Sequence, residues 1–194
     1  ALGAKQPLEP DTRAAIDTAR RDSDAAWQAA LQAAQALIAA NDIPASFSTT
    51  IETTQSAHQR LQALRERADS CLDKPDACGI DGMEWVSVVS AFIDAAGRLR
   101  EEIFLVIESP REVTQFNLTI KRWAAVATEH AGRERGLLAY YIGARRPLPA
   151  QVLNDLNVYR GVVKRTTDEM IAFAKRPDAD TRLVQAVQTM QRSF

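Results

Sequence analysis

Apolar and small residues recur at alternating three- and four-residue steps through almost the whole chain, and this period admits helices and little else. Between Asp11 and about Ala40, Ile16, Ala19, Ser23, Ala26, Ala30, Ala33 and Leu37 follow that spacing, which lines them along one side of an α-helix. A rod of that length spans about 45 Å. A second helix to about Leu72 turns Phe47, Ile51, Thr54, His58, Leu61 and Ala68 inward. A third, capped by Asp81, carries Trp85, Val86, Val89, Phe92, Ile93, Ala96, Leu99, Ile103 and Val106. Strand signals are missing, and the one Asp-Gly pair, Asp81-Gly82, opens a helical pattern instead of joining two alternating runs.

The remaining punctuation fits the same class. Ser109-Pro110 reads as a helix start, since serine caps and proline suits the first helical position. That fourth helix runs to about Ala144, Pro147 and Pro149 break the chain, and a fifth spans roughly 150–175. After Arg176-Pro177-Asp178 comes a short last helix with Leu183, Val184, Val187 and Met190 on one face. The expected fold is all-α: an elongated antiparallel helical bundle of two stacked four-helix-bundle modules. A faint repeat supports the doubling, because L-G-A-K-Q-P-L at 2–8 aligns with I-G-A-R-R-P-L at 142–148 and a long helix follows each copy. Residues 1–194 then read as a single all-helical domain with duplicated halves, roughly 1–109 and 110–194, the first lacking its N-terminal helix.

Composition excludes several classes of partner. A net charge of -1 without a basic stripe gives no footing for nucleic acid. The longest uncharged run, Ala25 to Asn41, contains three glutamines and an asparagine and does not reach a membrane span. A membrane connection is therefore expected only through flanking segments. Cys71 and Cys78, in C-L-D-K-P-D-A-C, lie in a turn between two helices. A disulfide there would add about 2 to 3 kcal/mol on the chain-entropy estimate and indicate an oxidising compartment such as the periplasm. His58 and His130 are the only histidines, and no phosphate loop, nucleophile elbow or zinc-protease motif is present. No catalytic activity, cofactor or metal site is expected, because Glu129, His130 and Glu134 on one helix have no matching Glu-x-x-His motifs on others.

One helix breaks its own pattern. Val113, Phe116, Ile120, Trp123, Ala127, His130, Glu134, Leu137 and Tyr141 form an apolar stripe interrupted at His130 and Glu134. Sheltered charges need partners, so Glu134 requires a cation, and Arg133 or Arg135 an anion, from protein or from ligand. Gly132 and Gly136, one turn apart, each cost up to about 1 kcal/mol relative to alanine and leave room for a helix or a small molecule. Arginine forks match the oxygens of nitrate, nitrite or carboxylate. Arg145 and Arg146 read more simply as helix-end cations.

The segment G-R-E-R-G-L-L-A-Y-Y-I-G, Gly132 to Gly143, resembles the R-E-R-G region of bacterial nitrate- and nitrite-sensing (NIT) domains. Those are all-helical sensor modules of chemoreceptors, histidine kinases, cyclic-dinucleotide enzymes and antitermination regulators. The resemblance implies a double four-helix-bundle sensor whose arginines contact a small anion, and it concerns Arg133, Glu134, Arg135 and Gly136, with His130 beside them. The expected function is an extracytoplasmic sensor domain of a bacterial membrane receptor, a homodimer in the periplasm that transmits by a helix shift. The competing expectation is a structural or dimerisation module in which the same charges form a salt network.

Overall fold

The computed structural model describes residues 9–40, 45–73, 80–106, 113 and 116–193, all-helical with no strand among them. The helices are α1 (Pro10–Ala40), α2 (Ala45–Asp73), α3 (Gly82–Val106), a π-helical turn (Asn117–Lys121), α4 (Arg122–Gly143), α5 (Ala150–Ala174) and α6 (Thr181–Ser193). The chain divides into two compact units. The first comprises Ala1–Glu108 with Ala139–Arg146, and the second Ser109–Leu138 with Pro147–Phe194. Helix α4 thus contributes to both.

In the first unit, α2 and α3 run antiparallel, as the descending partners show: Thr50 hydroxyl to Glu102, Thr54 to the Ala95 carbonyl, and Arg67 to Glu84. Helix α1 is antiparallel to α2 by the same logic, with Arg20 on Asp69 and Trp27 against His58. Trp27, Ala34, Phe47, Ile51 and Leu99 form the shared core, with Leu31, Leu37, Phe92 and Ile103 packed around it. Thr54 is fully buried and its hydroxyl bonds the Thr50 carbonyl at 2.7 Å, so burying it leaves no orphan donor.

The expected inward face of α2 is the observed one: Phe47, Ile51, Thr54, Leu61 and Ala68 are buried and His58 is half-buried. The α1 stripe is shifted. Ala19, Ala26, Ala30 and Ala33 are exposed, while the chain turns Trp27, Leu31 and Ala34 inward beside Ile16, Ser23 and Leu37. In an alanine-rich helix each small side chain buries little area, so the one large residue, Trp27, sets the rotation. The helix start also moves: Pro10 opens α1, the Glu9 carbonyl accepts from the Arg13 amide at 3.0 Å, and Asp11 sits within the first turn.

Asp81 caps α3 as expected, accepting from the Met83 amide at 3.2 Å. Next to it, Gly82 lies beneath the Tyr140 ring, where a Cβ would fall 2.6 Å from Tyr140 Cγ and 2.9 Å from its Cε2. Only glycine lets the end of α4 seat on the start of α3 in this way. Helix α4 closes with Arg146 N bonding the Tyr141 carbonyl at 3.0 Å and Arg145 N the Ile142 carbonyl at 3.1 Å, with Arg145 at φ 52°. That pair of bonds is a Schellman ending, with an arginine at the left-handed position glycine usually takes.

In the second unit, α4 and α5 are antiparallel, with Trp123 edge-on to Phe173 at 6.0 Å and His130 edge-on to Tyr159 at 5.7 Å. Val152, Leu156, Thr166 and Met170 of α5 are buried. Asp180 caps α6 through the Arg182 amide at 2.8 Å, and the expected face of that helix turns Val187 fully inward and Leu183, Val184 and Met190 partly so. The expected Ser109-Pro110 start of the fourth helix lies outside the described residues.

The α1 register has a direct test. Ala34→Glu places an unpaired charge at a position with 0% exposure and costs roughly 3 kcal/mol or more. Ala33→Glu, one residue away on the exposed side, stays within about 0.5 kcal/mol of wild type in denaturant titrations.

Candidate functional site

The interrupted stripe of α4 does face its unit's interior, and its charges meet protein partners there. Arg133 Nε donates to Glu129 Oε1 at 2.8 Å, one turn back on the same helix, and the two side chains are only 19% and 12% exposed. At that shelter each charge depends on the other, because an isolated one would lose most of its hydration. Glu134, 22% exposed, accepts from Arg160 Nε of α5 at 2.7 Å, and Arg160 itself reaches into solvent. The interhelical pair therefore has one sheltered and one wet end.

His130 is half-buried between these pairs. Its Nδ1 lies 2.8 Å from the Val126 carbonyl, and since a carbonyl only accepts, Nδ1 carries a proton and donates it there. The edge-on contact with Tyr159 fixes the imidazole plane. Arg135 is exposed: residues two apart on a helix point to nearly opposite sides, so Arg133 and Arg135 face away from one another. Gly132 has no heavy atom within 4 Å of where its Cβ would be, so no helix crowds it and the space beside it is open. Gly136 is half-buried.

The structure thus brings together Glu129, His130, Arg133 and Glu134, sets Arg135 apart, and adds Tyr159 and Arg160. The sequence pattern could not supply these two, since α5 is joined to α4 through two prolines and its pairing register is a tertiary property. The one available signal was that a sheltered Glu134 demands a cation from another helix.

A second polar cluster, in the first unit, was legible only as an inward-facing His58. Asp24 Oδ1 accepts from Arg65 Nη1 at 2.7 Å and Gln62 Nε2 at 2.9 Å, and His58 Nε2 lies 3.4 Å from it. The imidazole is clasped between Trp27 at 5.4 Å and Phe92 at 5.2 Å. Burial alone pushes the Asp24 pKa up, but the hydrogen bonds from Gln62 and Arg65, the Arg65 charge and the His58 contact outweigh it and hold the carboxyl below its ordinary 3.8. With its partners closed on one another, this cluster joins α1 to α2.

Cys71 is half-buried against Leu64, Ala68 and Ile80; Cys78 lies outside the described residues. Among the described residues no group of three or more His, Cys, Asp or Glu side chains could hold a metal ion. Comparison of the chain with family models, with curated proteins and with solved structures finds no match.

Because the Asp24 pKa is lower folded than unfolded, its stabilisation is fully present above about pH 4 and is lost as pH falls through the folded value. Asp24→Asn therefore costs about 1 kcal/mol between pH 5 and 7, a figure discounted for partial exposure. The gap between variant and wild type closes below pH 4 in urea titrations.

Proposed function

We propose that this chain is the ligand-binding, extracytoplasmic sensor domain of a bacterial membrane receptor, and that it binds a small anion such as nitrate or nitrite without catalysing a reaction. The observation that carries the reading is the sheltered Arg133 beside His130, on a helix face that apolar packing would otherwise fill. Glu129 holds the Arg133 fork at its Nε edge, which orients the guanidinium for a planar, multi-oxygen anion. The Arg133 guanidinium supplies positive charge on this face, whereas Arg135, two residues on, points to the opposite one. The R-E-R-G resemblance supports the same class of ligand.

Anion binding would draw Arg133 away from Glu129 and rotate or slide α4 by a fraction of a turn, a bistable packing change of the kind sensors use. Within the first unit, the seat of Tyr140 on Gly82 ties the end of α4 to the start of α3. The proposal includes a Cys71–Cys78 disulfide suited to the periplasm, a homodimeric receptor, and a duplicated architecture of two stacked bundles. None of the described helices is long and apolar enough to cross a membrane, and the reading assigns membrane attachment to flanking segments.

A second reading, a structural or dimerisation module, is favoured by one specific observation: Glu129–Arg133 and Glu134–Arg160 are already closed as pairs. A thermal-shift panel of nitrate, nitrite and small carboxylates separates the two. At one hundred times its dissociation constant a ligand adds about 2.7 kcal/mol, and Arg133→Ala abolishes the shift. Gly132→Ala raises the stability of the ligand-free protein by up to about 1 kcal/mol and leaves the response in place, because Gly132 lies two residues from His130 and faces away from it. An absence of shift across the panel, with Arg133→Ala only mildly destabilising, supports the structural module instead.

A further inference from the structure

The outer side of the α2–α3 hairpin carries a groove of about 580 Å³ whose floor is small: Thr53, Ser56 and Ala57 from α2, Ala91 and Ala95 from α3. Side chains of that size let another helix approach closely. The walls are charged, with Glu52 and Arg60 on α2 and Asp94 and Arg98 on α3, all four exposed. Two acids and two bases cancel. A surface for nucleic acid or lipid headgroups would present one sign, and a small anion would meet Glu52 and Asp94 as well as the arginines.

What such a wall fits is its own copy. The hairpin register, with Thr54 against Ala95 and His58 against Phe92, puts Glu52 level with Arg98, Ser56 level with Asp94, and Arg60 level with Ala91, one turn from Asp94. A two-fold axis parallel to the helices would set α2 of one molecule against α3 of the other at these same levels. Glu52 then faces Arg98 of the second copy, Ser56 its Asp94, and Arg60 the same carboxylate from one turn away. Each contact is made twice, as an isologous interface requires.

We infer that this chain forms a homodimer through the α2–α3 groove, the two hairpins closing into a four-helix bundle in which every neighbour is antiparallel. A two-helix face about 40 Å long and roughly 20 Å wide matches the ~800 Å² that each partner gives to a standard interface. The inference rests on the first unit alone and holds whatever binds at α4.

Light scattering coupled to gel filtration tests it. The wild-type chain is expected at twice its 21.4 kDa mass. Glu52→Arg and Arg98→Glu each weaken the dimer roughly a hundredfold by like-charge apposition while keeping the helical circular dichroism. Mixing the two variants restores the doubled mass, because each supplies the charge its counterpart lacks. Should either variant misfold, Ser56→Glu, which from an exposed position sets a second carboxylate against Asp94 of the other copy, is expected to be folded and monomeric. A wild-type chain that remains at 21.4 kDa overturns the inference, as does a dimer indifferent to Ser56→Glu, or folded charge variants whose mixture stays monomeric.

Discussion

Partly sheltered charges that close on one another between or along helices are the interaction on which the rotation and register of this bundle's helices depend. Asp24 gathers Gln62 and Arg65 beside His58 and so binds α1 to α2. Arg20 adds a two-pronged contact from one Nη to both Asp69 oxygens at 2.9 Å. Glu134 and Arg160 do the same work between α4 and α5. Apolar burial supplies most of the stabilisation in any such bundle, but it is indifferent to small rotations of an alanine-rich helix. Polar pairs are not, and they specify which rotation and which vertical register each helix adopts.

This division explains what could be read in advance. Helix α2 was legible because Phe47, Ile51, Leu61 and Ala68 leave only one direction to bury, and the short α6 because Leu183, Val184, Val187 and Met190 define a narrow face. Helix α1 was misread by a fraction of a turn because its alanines form more than one plausible stripe, and Trp27 decides among them only when His58 and Phe92 receive it. The π-helical turn at Asn117–Lys121 leaves no mark in the three-and-four pattern, since it inserts one residue into a continuous helix.

At the candidate site, the interrupted stripe called for at least one charge at or near the interior; His130 and Glu134 are both half-buried, and Glu134 meets its cation. The identities of those partners were not legible: Glu129 was visible as a neighbour of Arg133, but Tyr159 and Arg160 arrive by tertiary packing. Grouping Arg133 with Arg135 followed the motif's adjacency in sequence, whereas helix geometry places them on opposite sides. Arg145 is a further case, expected as a cation at the end of α4 and found in the left-handed position of the closing turn.

The functional account turns on whether Arg133, already held by Glu129, exchanges that carboxylate for a small anion. A titration of isotope-labelled protein with nitrate, followed by NMR at the Arg133 Nε–H and the His130 ring, tests this most directly. The account predicts saturable shifts centred on Arg133 and His130, with the Nε–H resonance moving away from its carboxylate-bound position. Resonances that stay fixed, or that drift uniformly with ionic strength, contradict it.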